Sequence, residues 1–237
     1  MRLLFYISLC LCSFLLYSDG VRDEVREMLE KMDLQIEVVS PEKSKKLWSY
    51  KMMMLKALGE YKLALRECRK LLKKNPNDGY FHYCMSTIYQ SRGKQDRAEK
   101  MIDRALEREP DNFAFLNQKA GLYLFEEGKA EEALSLYEQL AERDLPAVQH
   151  NLAVAHFFCG NEAKALNLLS DLIERREKRG EEIRHGTYYQ RAVIFEKMGK
   201  REEAVRDLKD CLAIAYHPDA HLLLLKAEAE ELMKCGK

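Results

Sequence analysis

The sequence has few cysteine, proline or glycine residues for its length, and its charges cancel. Seven Cys in 237 residues are too few for a disulfide-stapled fold, and 5 Pro with 11 Gly exclude a collagen-like or low-complexity chain. The 39 basic and 39 acidic residues leave no net charge, so the overall electrostatics give no reason to expect nucleic acid or an acidic partner. With 47% hydrophobic residues the chain is well able to form a packed core. We expect an ordinary folded protein.

Sequence motifs that carry chemistry are also missing. The sequence contains no glycine-rich phosphate loop, no G-x-S-x-G, no H-E-x-x-H, no EF-hand loop and no C-x-x-C pair. His217 and His221 have the four-residue spacing of metal ligands on a helix, but Pro218 and Asp219 between them indicate a helix start. We therefore expect no enzyme, no cofactor, no metal site, no small-molecule substrate and no nucleic-acid partner.

The first twenty residues differ from the rest and are typical of an export signal. Fifteen uncharged residues, 3–17, follow Met1 and Arg2, and Ser18 and Gly20 supply small side chains before a cleavage site. A helix of that length spans about 22 Å, less than the roughly 30 Å of a bilayer core. The pattern predicts a cleaved signal and an exported protein, whether periplasmic, secreted or envelope-associated. The alternatives are an uncleaved anchor over 3–17, which would hold the chain at a membrane, or a cytoplasmic chain with a buried terminal helix.

A repeat dominates the remaining sequence. Five times a Gly is followed five residues later by an Ala, and successive glycines are 34, 35, 32 and 39 residues apart. A period near 34 residues is typical of stacked helix pairs. Each Gly is expected to end a first helix in a left-handed cap, and each Ala to let the second helix pack closely on the first. The five pairs are Gly59 and Ala64, Gly93 and Ala98, Gly128 and Ala133, Gly160 and Ala165, and Gly199 and Ala204.

Further positions fit the same repeat pattern. A larger side chain lies four residues after each Ala, where it would fill the contact with the next pair: Cys68, Ile102, Tyr137, Leu169 and Leu208. With Trp48, Tyr89 and Tyr123 in the first helices and Pro76 and Pro110 at the ends of units, the sequence resembles the tetratricopeptide repeat family. The resemblance implies an all-α, right-handed superhelical solenoid of antiparallel helix pairs with a C-terminal capping helix.

The predicted organisation follows from these positions. After a signal peptide over 1–20, a leading helix and linker occupy 21–44. Five repeats follow at 45–78, 79–112, 113–145, 146–184 and 185–219. The charged stretch 173–185 lengthens the second helix of the fourth unit or its loop, as a solvated face or as a docking element. Residues 220–237 form the capping helix, with Leu222, Leu225, Ala229 and Leu232 on its packing side.

In tetratricopeptide domains the first helices line a concave groove that binds peptides. Mapped onto this sequence, the groove is rich in aromatic residues and poor in charge, which favours an apolar peptide segment. The other interpretation is that about half of these rings are core between helices. The candidate groove residues are Met53, Tyr80, Tyr83, Asn117, Leu124, Phe125, His150, Val154, Phe157, Phe158 and Tyr189.

One family variant is not expected. Chaperone cofactors of this family grip a terminal carboxylate with a Lys and Asn set and a following basic pair. Asn151 fits an Asn place of that set, but the following unit offers Tyr189 and Gln190 instead of basic residues.

The resemblance predicts a scaffold or adaptor that binds a peptide segment of a partner protein, in an exported or envelope-associated assembly. The alternative is a cytosolic chaperone for secreted substrates, similar to tetratricopeptide secretion chaperones.

Overall fold

The computed structural model describes residues 19–36 and 41–235, and within these ranges the chain is all-α with no strand. The fold class is the predicted one, a run of helix pairs with a leading and a final helix. The helices are α1 (Asp19–Ile36), α2 (Pro41–Ala57), α3 (Tyr61–Lys74), α4 (Gly79–Ser91), α5 (Gln95–Leu106), α6 (Phe113–Leu124), α7 (Ala130–Leu140), α8 (Pro146–Phe158), α9 (Glu162–Lys178), α10 (His185–Lys197), α11 (Arg201–Ile214) and α12 (Pro218–Cys235).

The helices form two compact units, one up to Leu122 and one from Tyr123 onward. In the first unit each of α1 to α4 packs on the helix that follows it, and the contact between α4 and α5 is the most extensive of these. In the second unit, α7 to α12 pack in the same consecutive manner. First helices of neighbouring pairs also touch, α2 with α4 and α8 with α10. Each first helix therefore has neighbours on several sides.

The turns inside the pairs confirm the predicted role of glycine. Gly59, Gly93, Gly128, Gly160 and Gly199 have φ angles of 75°, 64°, 81°, 80° and 74°. This left-handed region is strained for residues with a Cβ, and it ends a helix while pairing its last carbonyls. After Gly93, for example, Lys94 N donates back to the Tyr89 carbonyl at 2.9 Å. A reversal this short places the second helix directly against the first.

The predicted contact residues of the pairs are buried. The five alanines Ala64, Ala98, Ala133, Ala165 and Ala204 are enclosed, as are Cys68, Ile102, Tyr137, Leu169 and Leu208 four residues later. These positions lie one turn apart on the same helix face, which makes a continuous strip for packing. Burying a leucine or isoleucine side chain is worth about 1.5–3 kcal/mol, so this strip is a main source of stability.

The ends of the fold depart from the predicted details. The capping helix α12 packs on α11. Ala220 and Ala227 of this helix are buried, whereas Leu222 and Leu225 are 67% and 48% exposed. The predicted packing side of this helix was therefore wrong for these two leucines. Two alanines seven residues apart let the helix backbones approach closely, which turns the leucines outward. The leading helix begins at Asp19, two residues before the predicted leading segment 21–44, and it ends at Ile36 within that segment.

The charged stretch of the fourth unit extends its second helix. Helix α9 runs for 17 residues to Lys178, and Gly180 then reverses the chain with a φ of 63°. Arg176 donates to the Glu182 carbonyl at 2.8 Å, and Ile183 is buried beneath this loop. The stretch is thus a longer helix followed by an ordered connection.

Several predictions concern residues outside the described part. These are residues 1–18 of the signal peptide predicted over 1–20, the alternative anchor over 3–17, and the packing of Ala229 and Leu232. In the ranges that the structure describes, no helix has the length and apolarity needed to cross a bilayer.

Candidate functional site

In the first unit, α2 and α4 carry three of the four predicted groove residues of that unit, Met53, Tyr80 and Tyr83. Their spacing of three or four residues places them on one face of each helix. We call this surface the tyrosine face; it consists of Ser49, Met53 and Lys56 from α2, Tyr80, Tyr83, Thr87 and Gln90 from α4, and Asn117 from α6.

The two tyrosines are held in fixed positions by their neighbours. Tyr80 and Ser49 share a hydroxyl–hydroxyl hydrogen bond, and the Tyr80 ring meets Trp48 edge-on with centroids 6.0 Å apart. Tyr83 lies 5.9 Å from Tyr80 and stacks on Phe115 at 5.3 Å. Burial raises the pKa of both phenols, so they are neutral hydrogen-bonding groups at any physiological pH. Both rings are half-buried, and each keeps part of its surface exposed to solvent.

The rest of the face is more open. Met53 is 63% exposed, which leaves a flexible apolar side chain available for contact. Gln118 donates to Gln90 at 3.0 Å and links α6 to α4, and Asn117 beside it is half-buried. At the end of α2, burial lowers the pKa of the Lys56 ammonium. The tyrosine face therefore combines apolar contact area with amide and hydroxyl groups and one cation.

A second aromatic group lies in the other unit. The phenylalanine cluster consists of Phe125, Phe157 and Phe158, with centroids 6.1 Å apart for Phe125 and Phe158 and 5.9 Å for Phe157 and Phe158. Lys197 places its ammonium 4.9 Å from the Phe157 ring centre while pairing with Glu162 at 2.5 Å. A cation over an aromatic face is attractive by about 0.5–2 kcal/mol, so Phe157 is fixed from one side.

Other candidate residues lie in the interior. Leu124, Val154 and Tyr189 are 2%, 3% and 7% exposed, and we leave them out of the candidate surface. Tyr189 stacks on His217 at 4.2 Å, which accounts for its burial. His150 is half-buried in α8, where burial and the charge of Arg184 lower its pKa to about 4.

Some residues that shape the site were missed by the sequence reasoning. Phe115 supports Tyr83, and Lys197 caps Phe157, although neither was among the candidates. Arg191 was also missed; it donates to both carboxylate oxygens of buried Asp207 at 2.6 and 2.7 Å. The available signal was an arginine in a first helix followed 16 residues later by an aspartate. In the sequence this pair looks the same as charged residues on an exposed helix surface.

The cysteines show no reactive arrangement. In the part of the chain described, Cys68, Cys84, Cys159 and Cys211 are free thiols, and all but Cys159 are buried. Burial raises the pKa of Cys211 to about 11 and that of Cys68 further, so both remain protonated and unreactive. Within the described ranges no three His, Cys, Asp or Glu side chains are grouped so as to hold a metal ion.

The structure consists of successive helix pairs. Each pair has a left-handed glycine in its turn and a buried alanine at the start of its second helix, which is the architecture of a helical repeat protein. The family model of the tetratricopeptide repeat matches residues 78–215, more than half of the sequence. The chain belongs to the tetratricopeptide repeat family.

Known proteins of the same kind resemble this chain to different extents. It is 34% identical over 99 residues to the Photosystem I assembly protein Ycf3 of Rippkaea orientalis, and the match spans 38% of this chain and 57% of that protein. A tetratricopeptide repeat protein from Parabacteroides merdae superposes with a TM-score of 0.65 at 20% identity, over 88% of this chain and 79% of the other. YrrB, described as having an unusual peptide-binding site, superposes with a TM-score of 0.55 at 18% identity, over 77% and 91%. The structural likenesses concern the fold.

Proposed function

We propose that this protein is a non-enzymatic scaffold that binds an extended peptide segment of a partner protein across the tyrosine face. The observation that carries the proposal is the fixed pair Tyr80 and Tyr83 beside exposed Met53. Rings already held by Trp48 and Phe115 lose little freedom when a ligand docks, so more of their contact energy appears as affinity.

The neighbouring polar groups suit an extended backbone. Thr87 and Gln90 follow Tyr83 at the spacing of successive helix turns, and Asn117 of α6 adds a third polar group. The Thr87 hydroxyl donates to the Cys84 carbonyl and can still accept, and the Gln90 carbonyl oxygen accepts from Gln118 while its NH2 group can still donate. Such groups hydrogen-bond peptide amides and carbonyls, while the rings and Met53 cover apolar side chains.

The relatives support an interaction role. Proteins of this family are generally non-enzymatic interaction scaffolds, and one structural neighbour has a peptide-binding site. The similarity to an assembly protein favours a role in building a multi-protein assembly. A chaperone for secreted substrates remains our second candidate, because a face of half-buried rings also suits a transiently bound client segment.

We also propose that the protein acts outside the cytoplasm, on the strength of the uncharged segment 3–17. The intact mass of the native protein tests this placement. A mass equal to a chain beginning at Val21 supports export, whereas a mass equal to all 237 residues removes the cleaved signal.

Peptide binding can be tested without knowing the partner. A displayed library of random dodecapeptides is selected on the full chain, and the affinity of the leading peptide is measured by fluorescence anisotropy. Tyr83→Ala and Met53→Asp should each weaken binding by about 1–3 kcal/mol, because anchors in a buried contact dominate affinity. Tyr216→Ala, at an exposed tyrosine of the other unit, is the matched control and should leave affinity unchanged.

The two variants separate binding from folding. Tyr83 stacks on Phe115, so its loss affects packing, and circular dichroism must show that the variant is folded. Met53 is mostly exposed, so Met53→Asp should leave the fold intact. Selection of no peptide, or full affinity of both variants, would remove the tyrosine face as the binding site.

A further inference from the structure

Lys56 occupies an unusual place on the tyrosine face. It lies one turn beyond Met53, in the last turn of α2, and its side chain is half-buried close to buried Cys84. A cation near a helix C-terminus is favoured by the helix dipole, which accounts for a lysine here. The dipole does not account for the removal of its ammonium from water, which lowers its pKa.

Other shielded lysines of the same unit have carboxylate partners. Lys51 is enclosed between Asp33 and Glu67, and Lys119 pairs with Asp103 at 2.9 Å. Lys56 has no carboxylate within 4.0 Å and no side-chain hydrogen bond among the residues that the structure describes. The half-buried ammonium of Lys56, with no carboxylate of its own among the described residues, is therefore available to pair with an anion from outside the chain.

We propose that Lys56 binds the carboxylate of an aspartate or glutamate side chain in the partner segment on the tyrosine face. This inference rests on the proposed function and specifies the partner's chemistry. A lone ammonium is a single point charge, which suits one side-chain carboxylate. A terminal carboxylate is usually captured by several converging donors. Lys46, on the same side of α2, lies ten residues before Lys56, about 15 Å along the helix, so the two ammonium groups are not placed to converge on one carboxylate.

The geometry also restricts where the acidic residue lies. Lys56 lies three positions after Met53 in α2, a rise of about 4.5 Å along the helix. In an extended peptide, side chains on the same side are about 6.6 Å apart. The acidic residue should therefore lie within about two or three positions of the apolar residue that contacts Met53 and Tyr83.

The test is a comparison of peptide selections. The same dodecapeptide library is selected on the wild-type full chain, on Lys56→Gln, and on Lys62→Gln, which removes an exposed lysine of α3 as the matched control. We expect Asp or Glu to be enriched at a fixed distance from an aromatic or apolar residue on the wild type and the control. The enrichment should disappear on Lys56→Gln.

The leading peptide then gives a quantitative measurement. Its Kd should rise at least about tenfold on Lys56→Gln, a change of about 1.4 kcal/mol. Lys56→Glu should bind a peptide whose acidic residue is replaced by lysine better than it binds the original, which is a charge-swap signature. Amidation of the peptide's C-terminus should leave Kd unchanged.

The outcomes distinguish the role of Lys56 from the proposed binding of peptides to the tyrosine face. Selected peptides that depend on Tyr83 but show no acidic preference would overturn the role of Lys56 and leave peptide binding standing. Binding that requires a free C-terminus would overturn it as well, in favour of a terminal carboxylate. Selection of no peptide by the wild type would refute both proposals.

Discussion

His150 makes the fold sensitive to acid, and the size of the effect follows from its surroundings. Its side chain is half-buried in α8, and its Nδ1 is enclosed without a hydrogen-bond partner among the described residues. Burial, together with the charge of Arg184, lowers its pKa from 6.5 to about 4. Since a tenfold change in proton affinity is worth about 1.4 kcal/mol, this difference corresponds to about 3 kcal/mol.

The sign follows from proton linkage. Below pH 6.5 His150 is protonated in the unfolded chain but stays neutral in the folded chain until the pH nears 4, so unfolding becomes more favourable. The contribution of His150 to stability is fully present above pH 6.5 and is lost as the pH falls toward about 4. Acidification from pH 7 to pH 4.5 should remove most of the 3 kcal/mol.

The measurement is urea unfolding followed by circular dichroism at pH 7.0 and pH 4.5. The wild type and His150→Gln are compared, because the variant keeps a polar side chain but cannot take up a proton in this range. His221→Gln, at an exposed histidine, is the control for general effects of substitution. The loss of stability between the two pH values should be smaller in His150→Gln by about 2–3 kcal/mol. Equal losses in all three proteins would refute the reasoning.

Three further predictions concern a helix contact, a buried ion pair and a left-handed turn. Ala98→Leu should destabilise the fold by about 1–3 kcal/mol through overpacking at a fully enclosed helix contact, while Lys94→Leu at the surface should not. Coincident thermal melts of the two variants would show that the repeat register is wrong. Asp207→Ala should lower the free energy of unfolding by about 3–5 kcal/mol, because it leaves a shielded guanidinium unpaired. Asp144→Ala, which breaks an exposed ion pair, should change it by less than about 1 kcal/mol, and similar values in urea titrations would contradict this difference in burial. Gly93→Ala places a Cβ where no atom lies within 4 Å, so its cost of about 1–2 kcal/mol should come from the left-handed backbone alone; an unchanged melting temperature would contradict the turn geometry.

The sequence by itself determined the helix pairs and their order. The information is local, because a glycine in a left-handed turn, an alanine five residues later and a larger side chain four residues beyond it all lie within about three helix turns. Such signals act through short-range backbone and side-chain geometry, which does not depend on distant parts of the chain. The left-handed turn at Gly128 was predictable for this reason, although its unit carries an extra residue.

Only the tertiary structure decided which first-helix side chains are exposed. A first helix packs on its own partner and on neighbouring pairs, so apolar residues occur around most of its circumference, and periodicity does not single out one face. Leu124 and Val154 are therefore buried although Met53 is open, and these three residues were indistinguishable in the sequence. The pairing of charges is decided in the same way, because Lys51 meets carboxylates from two other helices while Lys56, five residues later, meets none within the described residues. Contacts between residues distant in the chain depend on how the helices pack together, and this packing cannot be predicted from the local sequence pattern.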